Sequence, residues 1–506
     1  MKKKLWFLII MVICIFSRIY QFGLVPGGVN QDEALAGYEA YCILQDGKDI
    51  HGYTYPVYLT AWGSGMNALN SYLMIPFIAL FGLHTWVIRI PQVIVACLTV
   101  FCVYGIMKEI TDEKNALFST FLLAIAPWHI MLARWGLESN LAPGFLTFGL
   151  YFFIKGLKKK QWFYVSACMY GLALYCYATI WPIVPVILCL QVGYCMGYKK
   201  VKLQKEIIIS GIIVFAMAAP LILFMLVNNG TIEEIRLSFL SIPRLLYMRS
   251  GEISVKNIPD NFINLLKIIK NQQDGLLWNA TEKYGICYHS TLVFFTLGLF
   301  FAIKETIYGI KKKEFSMVTL LLIQLCAAFL LGILVSVNIN RINCLFVPMI
   351  LTAAYGIGKL CDCTKPKAIW IFICFYLICF ISFEKYYFAE YKQQINVCFC
   401  EGLEDAVDRV QELEGKVYIT PGASWARVLF LSEQSPEGFR KTVAYSNYPD
   451  AFLNAEKYGR FSTSFDVLLP EKDAVYLLEE PYDLSVLKKE GFCLEQYGPY
   501  TVAWYE

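Results

Sequence analysis

Charge is what this sequence has least of. Of 506 residues, 17% are Asp, Glu, Lys or Arg, against about 25% in an average soluble protein. Hydrophobic residues make up 57% and aromatics 16%, and mean hydropathy is +0.51. This excludes an ordinary soluble globule and indicates an integral membrane protein. The net charge of +4 gives no support to nucleic-acid binding. No G-x-x-x-x-G-K-[ST] phosphate loop is present, so the common nucleotide cradle is missing. Histidine is scarce, with four in the chain. The N-terminal MKKKLWFLIIMVICIFSRIY has a basic start and an apolar core but no A-x-A-like cleavage site. It reads as a retained first span. The 18 cysteines include Cys97, Cys102, Cys168, Cys176, Cys189, Cys326 and Cys374 inside apolar runs, where they read as small hydrophobes. Cys361 with Cys363, and Cys398 with Cys400, lack the gap of a zinc knuckle. No metal site is predicted.

The apolar runs come in lengths suited to spans, for which about 20 residues are needed. Eleven are predicted, near 5–22, 87–109, 116–132, 141–157, 161–179, 180–198, 207–227, 291–309, 316–337, 342–360 and 369–388. The basic clusters then decide orientation. They are Lys2 to Lys4, Lys108 with Lys114, Lys155 with Lys158 to Lys160, Lys199 to Lys205, Lys311 to Lys313, and Lys365 with Lys367. All fall in alternate loops, so the positive-inside rule places them together in the cytoplasm. The stretch 66–83 would break this agreement if it spanned. It is therefore expected to be a helix at the outer interface. The N-terminus is expected in the cytoplasm and the C-terminus outside. The outer face then holds residues 23–86, the turn 133–140, the loop 228–290 and the tail from about 389.

The ionisable residues of that face are the candidates for chemistry: Asp32, Glu33, Arg134, Glu138, Arg341, and a polar loop with Arg236, Arg244, Arg249, Asp274, Trp278 and Asn279. A carboxylate can take a proton from a hydroxyl acceptor. Arginines can hold a phosphate and stabilise its developing charge. Each also has a plain reading. Loop acids are usually solvated, arginines at span ends anchor to headgroups, and Trp and Tyr form interfacial belts. Adjacent residues of a helix point about 100° apart, so Asp32 and Glu33 are not expected to share one role.

Four stretches together carry a resemblance. NQDEALAGYEAY places an acidic pair just after the first span. GYTYPVYLTAW followed by LFGLHTWVIRIPQVI gives a Pro-Tyr-rich segment and an arginine, Arg89, opening the second span. APWHIMLARWGLESN carries an Arg-x-x-x-acid pattern, and NINRINCLFVPMI an Arg and a Pro at a late span. Over residues 1–390 the layout resembles the GT-C membrane glycosyltransferases, in the branch of protein O-mannosyltransferases and the lipid A aminoarabinose transferase. The resemblance implies a polyprenyl-phosphate-linked sugar as donor and a glycan, lipid or protein as acceptor, with no nucleic acid. It implies that Asp32 is the general base, that Glu33 supports the site, and that Glu138 is a second acid. Arg341, followed by Arg134 and Arg89, would hold the carrier phosphate. Tyr55, Trp62, Asp274, Trp278 and Asn279 would line the donor or acceptor pocket. The expected reaction is one inverting displacement at the anomeric carbon. Relatives differ on a divalent metal, which leaves that cofactor open; His51 near the acids is read first as a hydrogen-bonded loop residue.

The fold class expected is therefore a polytopic α-helical membrane protein of about eleven spans with a small extracytoplasmic α/β domain, residues 391–506. In that tail GLEDAVDRVQELEG reads as an amphipathic helix, KVYIT and DAVYLLEE as buried strands, DLSVLKKEG as a helix ending at Gly491, and FCLEQYGPYTVAWY as a hairpin. It shows no catalytic constellation. A bacterial plasma membrane is the expected location. Two other classes stay open. A lipid-linked-sugar transporter or flippase would place ionisable groups mid-span, and a non-catalytic polysaccharide-assembly protein could keep the same architecture. The sugar, the acceptor and the carrier length are not written in the sequence.

Overall fold

The computed structural model describes residues 2–248, 255–465 and 470–506. Arg249 lies outside them. The chain begins with fifteen helices: α1 Lys2–Ile19, α2 Gln31–Asp46, α3 Leu69–Phe81, α4 Ile90–Ile110, α5 Glu113–Ala124, α6 Pro127–Leu132, α7 Ala142–Lys158, α8 Trp162–Ala173, α9 Ile183–Gly197, α10 Lys205–Asn228, α11 Ile258–Asn271, α12 Thr291–Lys312, α13 Val318–Leu334, α14 Phe346–Cys363 and α15 Ile369–Lys385. Two small antiparallel ladders interrupt them, β1 Tyr58–Leu59 with β2 Met66–Asn67, and β3 Ile235–Arg236 with β4 Ser241–Ile242. The tail adds α16 Lys392–Cys398, α17 Leu403–Glu412, α18 Trp425–Leu431, α19 Pro436–Thr442 and α20 Ser485–Lys489. Its strands are β5 Lys416–Ile419, β6 Ala444–Tyr445, β7 Ala455–Tyr458, β8 Phe461–Ser462, β9 Ala474–Glu479, β10 Cys493–Tyr497 and β11 Tyr500–Trp504.

Each of the eleven stretches expected to span contains a helix. Among the described residues six helices are long and apolar enough to cross a membrane: Val87–Ile110, Ala178–Gly197, Lys205–Asn228, Thr291–Lys312, Asn343–Cys363 and Pro366–Glu390. The others fall short for visible reasons. α1 opens on a lysine run. The 116–132 segment breaks between α5 and α6, where Ala126 is extended and Pro127 starts a new helix. Helices α7 and α13 have 17 residues and α8 has 12. The interfacial stretch 66–83 contains α3, whose 13 residues reach only about 20 Å.

The structure divides into two compact units, both discontinuous in sequence. The first comprises Met1–Gln21, Gln92–Pro220 and Ser250–Tyr391 and is helical. Its helices pack closely where side chains are absent. A Cβ on Gly298 of α12 would lie 1.8 Å from the Thr352 carbonyl of α14, so only glycine permits that approach. Polar groups in its interior are paired. Gln324 donates to the Tyr170 hydroxyl at 2.8 Å, which donates to Gln191 Oε1 at 3.0 Å.

The second unit comprises Phe22–Pro91, Leu221–Arg249 and Lys392–Glu506. The tail, expected as a domain by itself, shares one core here with the first loop region. Leu35, Tyr38 and Ile43 of α2 and Met74 and Ile78 of α3 are buried in the same cluster as Val428, Leu429 and Phe430 of α18 and Val417 and Leu477 of the sheet. The seven-stranded sheet has the order β10-β11-β9-β5-β8-β7-β6, with β5 parallel to β8 and β9 and the remaining pairs antiparallel. The helices at 403–412 and 485–489, the strands at 416–419 and 474–479 and the terminal hairpin lie where the sequence places them. The sharing of the core has no local signature, because strands as short as β6 and β8 show no readable alternation.

This core buries an unusual pair, Glu39 and Asp49, both at 0% exposure. Glu39 Oε2 accepts from Ile50 N at 3.0 Å, and Asp49 Oδ1 from His51 N at 3.0 Å and Tyr53 N at 2.8 Å. Their other oxygens have no hydrogen-bond partner. Burial, and then the charge of Asp49, pushes the Glu39 carboxyl well above the ordinary carboxylate range; burial also pushes Asp49 up. A carboxyl raised on folding favours the native state below its unfolded pKa and loses that contribution as pH rises through the folded value. The melting temperature in detergent is therefore expected to fall through this pair as pH rises above the ordinary carboxylate range of about 4, and Glu39→Gln to flatten the slope. An unchanged slope in that variant would show that the pair does not titrate in this range.

Candidate active site

The second unit holds Asp32, Glu33, Tyr55, Trp62 and Arg89. Asn30 caps α2, its side chain accepting from Asp32 N at 2.9 Å while its own N–H donates to Glu33 Oε1 at 3.0 Å. This capping box satisfies donors that the first turn would otherwise leave open. It also orients the two acids. Glu33 turns inward, is fully buried, and meets Arg89 in a fork: Nε to Oε2 at 3.1 Å and Nη2 to Oε1 at 2.5 Å. Arg89 spends its remaining reach on the carbonyls of Pro26 and Gly28, each at 2.7 Å. Gly28 has φ +76°, and a Cβ there would lie 2.3 Å from the Phe399 carbonyl, so the position requires glycine. Asp32 turns the other way. It is half-buried, and its Oδ1 accepts the indole N–H of Trp62 at 3.1 Å. Tyr55 lies 45% exposed in the following loop. The neighbouring His51 has its Nε2 2.8 Å from the Ala61 carbonyl.

Arg236 and Arg244 also lie in the second unit, while the first holds Arg134, Glu138, Asp274, Trp278, Asn279 and Arg341. Three segments converge there. Asn343 donates to the Ser139 carbonyl at 2.6 Å, tying the 133–140 turn to the start of α14. Asp274 Oδ2 accepts from Asn279 Nδ2 and from Ile339 N, both at 2.8 Å, tying the 271–280 loop to the 336–342 turn. Trp135 and Trp278 meet edge to face at 6.3 Å. Within this frame Glu138 and Arg341 are half-buried. Arg341 Nη1 donates to the Ser336 carbonyl at 3.2 Å, and its backbone N–H to Asn338 Oδ1 at 2.8 Å. Asp274 and Asn279, read from sequence as pocket residues, are staples of the loop they sit in.

Arg134 is placed differently from Arg341. It is buried, and its two terminal nitrogens donate to the carbonyls of Ser17, Arg18, Tyr20 and Gln21 at 2.7–3.2 Å. It stacks 4.8 Å over Phe388. It thus serves as a cap on the C-terminal end of α1, where a cation is favoured by the helix dipole. Sequence reasoning missed the residues that hold the frame, Gln92, Asn343 and Asn396. Gln92 donates to the Leu137 carbonyl at 2.9 Å, and Asn396 accepts from Gly27 N at 2.7 Å. A single Asn or Gln in an apolar or polar run carries no signal of this kind. Among the described residues no group of three His, Cys, Asp or Glu is placed to hold a metal ion.

The unequal burial of the acidic pair has a measurable consequence. Removing one charge of a buried pair leaves the other uncompensated, at about 3–5 kcal/mol. Glu33→Gln should lower stability on that scale in thermal or chemical unfolding, whereas Asp32→Asn should change it by about 1 kcal/mol or less. Equal effects of the two substitutions would contradict the division of roles.

Residues 68–224 match the family described as dolichyl-phosphate-mannose-protein mannosyltransferase. No curated protein matches the sequence. Among solved structures, the apo form of ArnT from Cupriavidus metallidurans superposes with a TM-score of 0.56 at 12% identity, over 99% of this chain and 97% of that one. The same protein bound to undecaprenyl phosphate gives 0.55 at 12% identity, with the same coverage of both chains. The Archaeoglobus fulgidus oligosaccharyltransferase, in complex with zinc and sulfate, gives 0.51 at 13% identity over 85% of this chain, which spans 61% of that protein's length. These likenesses establish the fold. The chain therefore has the fold shared by ArnT and the archaeal oligosaccharyltransferase, and its residues 68–224 match the mannosyltransferase family.

Proposed function

We propose that the enzyme transfers a single sugar from a polyprenyl-phosphate-linked donor to an acceptor hydroxyl on the extracytoplasmic face of a bacterial plasma membrane, with inversion. The observation that carries this reading is the split at the head of α2. Glu33 is locked in the buried fork with Arg89, while Asp32 is held half-buried by an indole N–H. A base needs to be oriented and reachable, and Asp32 is both. Asp32 accepts the acceptor's proton as its oxygen attacks the anomeric carbon. The bond from that carbon to the phosphate oxygen breaks, and the charge left on the carrier phosphate is met by Arg341. A guanidinium suits this role because it offers several donors in a plane. Glu138 orients the acceptor, and Trp278 offers a face for the sugar. Arg134 and Arg89 support the site through the carbonyls they hold.

The topology that fits is the eleven-span arrangement, with the lysine clusters cytoplasmic and α3 lying at the outer interface. The exposed Leu80 and Phe81 at the end of α3 suit burial among headgroups. The polyprenyl carrier agrees in kind with the undecaprenyl phosphate bound by the ArnT structure.

The test is sugar transfer by purified protein in lipid from a panel of polyprenyl-phosphate hexoses and pentoses, with wild type beside Asp32→Asn. The expected result is transfer by wild type and a loss of about a hundredfold or more in the variant, the scale of a general base. Transfer unaffected by the substitution would refute the base assignment. Donor binding and translocation without transfer would replace the enzyme reading with a carrier transporter.

A further inference from the structure

Within the second unit, Asp32 is connected to the C-terminal sheet region by a short run of contacts. Trp62, 9% exposed, donates its indole N–H to Asp32 Oδ1 at 3.1 Å. That indole and Trp425 meet edge to face, with centroids 5.3 Å apart at 77°. Leu453 links the two residues through its backbone: its N–H donates to the Trp62 backbone carbonyl at 2.7 Å, and its carbonyl accepts from the Trp425 ring Nε1 at 3.1 Å. Trp425 is itself fixed, stacked on Phe439 at 6.1 Å and 10°. It opens α18 directly after Ser424, whose φ of +61° is a left-handed backbone rarely adopted by a residue with a Cβ. The same turn reaches the loop before α2, where Arg427 Nε donates to the Val29 carbonyl at 3.0 Å.

We propose that Trp62 is a positioning residue for Asp32, and that Trp425 and Leu453 of the C-terminal region hold its indole in place, making that region a working part of the catalytic machinery. The proposal rests on Asp32 being the base. An ionised carboxylate turns easily about its side-chain bonds. A donor fixed on one oxygen sets the plane of the group, and with it the direction from which a proton is taken. Small errors in such placement are costly to rate. The indole is well suited to the task, because its single donor is carried on a rigid, buried ring. A purely structural Trp62 would need only some hydrogen-bond partner for its N–H. It would contribute to stability and leave turnover alone.

The experiment compares full-length wild type, Trp62→Phe, Trp425→Phe, Asp32→Asn and the Asp32→Asn/Trp62→Phe double variant in lipid, using a donor that supports transfer by wild type. Trp62→Phe is expected to lower kcat roughly ten- to a hundredfold while the acceptor KM stays within about twofold. Trp425→Phe, which leaves the indole–carboxylate bond in place, lowers kcat in the same direction by less, and serves if Trp62→Phe does not fold. The double variant is expected to be no slower than Asp32→Asn alone, since the two residues act through one group. Full kcat in Trp62→Phe with a lowered melting temperature overturns the proposal. So do losses that multiply in the double variant. If Asp32→Asn is as active as wild type, the base assignment fails and the proposal with it. If Asp32→Asn is inactive but both tryptophan variants turn over normally, only the positioning role fails. Absence of transfer by wild type from every donor overturns the functional reading and this proposal together.

Discussion

The buried fork between Glu33 and Arg89 is the constraint on which the candidate catalytic loop depends. Both side chains are fully buried, and taking two charges out of water is costly unless the geometry is good and the remaining donors are satisfied. Both conditions hold, since the guanidinium also meets two backbone carbonyls between residues 26 and 28. The pair therefore ties the turn ahead of α4 to the first turn of α2 and to the loop before it. Because neighbouring helix positions diverge by about 100°, locking Glu33 inward turns Asp32 out of the ion pair's direction. One acid of the motif is thereby fixed in a buried ion pair, and the other stays half-buried beside an indole.

The three arginines named from sequence divide in a similar way. Arg89 and Arg134 are buried and face carbonyls or a carboxylate, while Arg341 is half-buried in a turn held from both sides. Arginine suits both tasks because its planar fork can satisfy several acceptors at once. Burial, and not position at a span end, distinguishes the two settings. Carboxamides do much of the fixing: Asn343, Asn279 and Gln92 in one unit and Asn30 and Asn396 in the other. Each binds a polar group that would otherwise be costly to bury.

Much of the fold was legible in the sequence because its strongest signals are local. Apolar runs mark the helices, and the amphipathic period of residues 403–412 and the buried runs at 416–419 and 474–479 mark the tail. The acidic pair at 32–33 was visible as a candidate, and its split could be anticipated from helix geometry. Three things were not legible. The pairing of Glu33 with Arg89 joins residues 56 apart, and nothing in either neighbourhood announces the other. The common core of residues 22–91 and the tail depends on side chains such as Phe430 meeting Gly37, a contact with no periodic trace. The burial of Glu39 and Asp49 looks, in sequence, like ordinary helix and loop acids. Span count is a fourth, smaller case. Where a helix is cut by Pro127 or stops at 12 residues, hydropathy alone overestimates its length.

The division of labour at the head of α2 can be measured without knowing the substrate. Purified protein in lipid would be treated near neutral pH with a water-soluble carbodiimide and a small amine, and the modified carboxylates mapped by mass spectrometry. Asp32 is expected to be labelled while Glu33, shielded by Arg89, is not, and Glu33 to become reactive only when the protein unfolds. Labelling of Glu33 in the native protein as fast as Asp32 would contradict it.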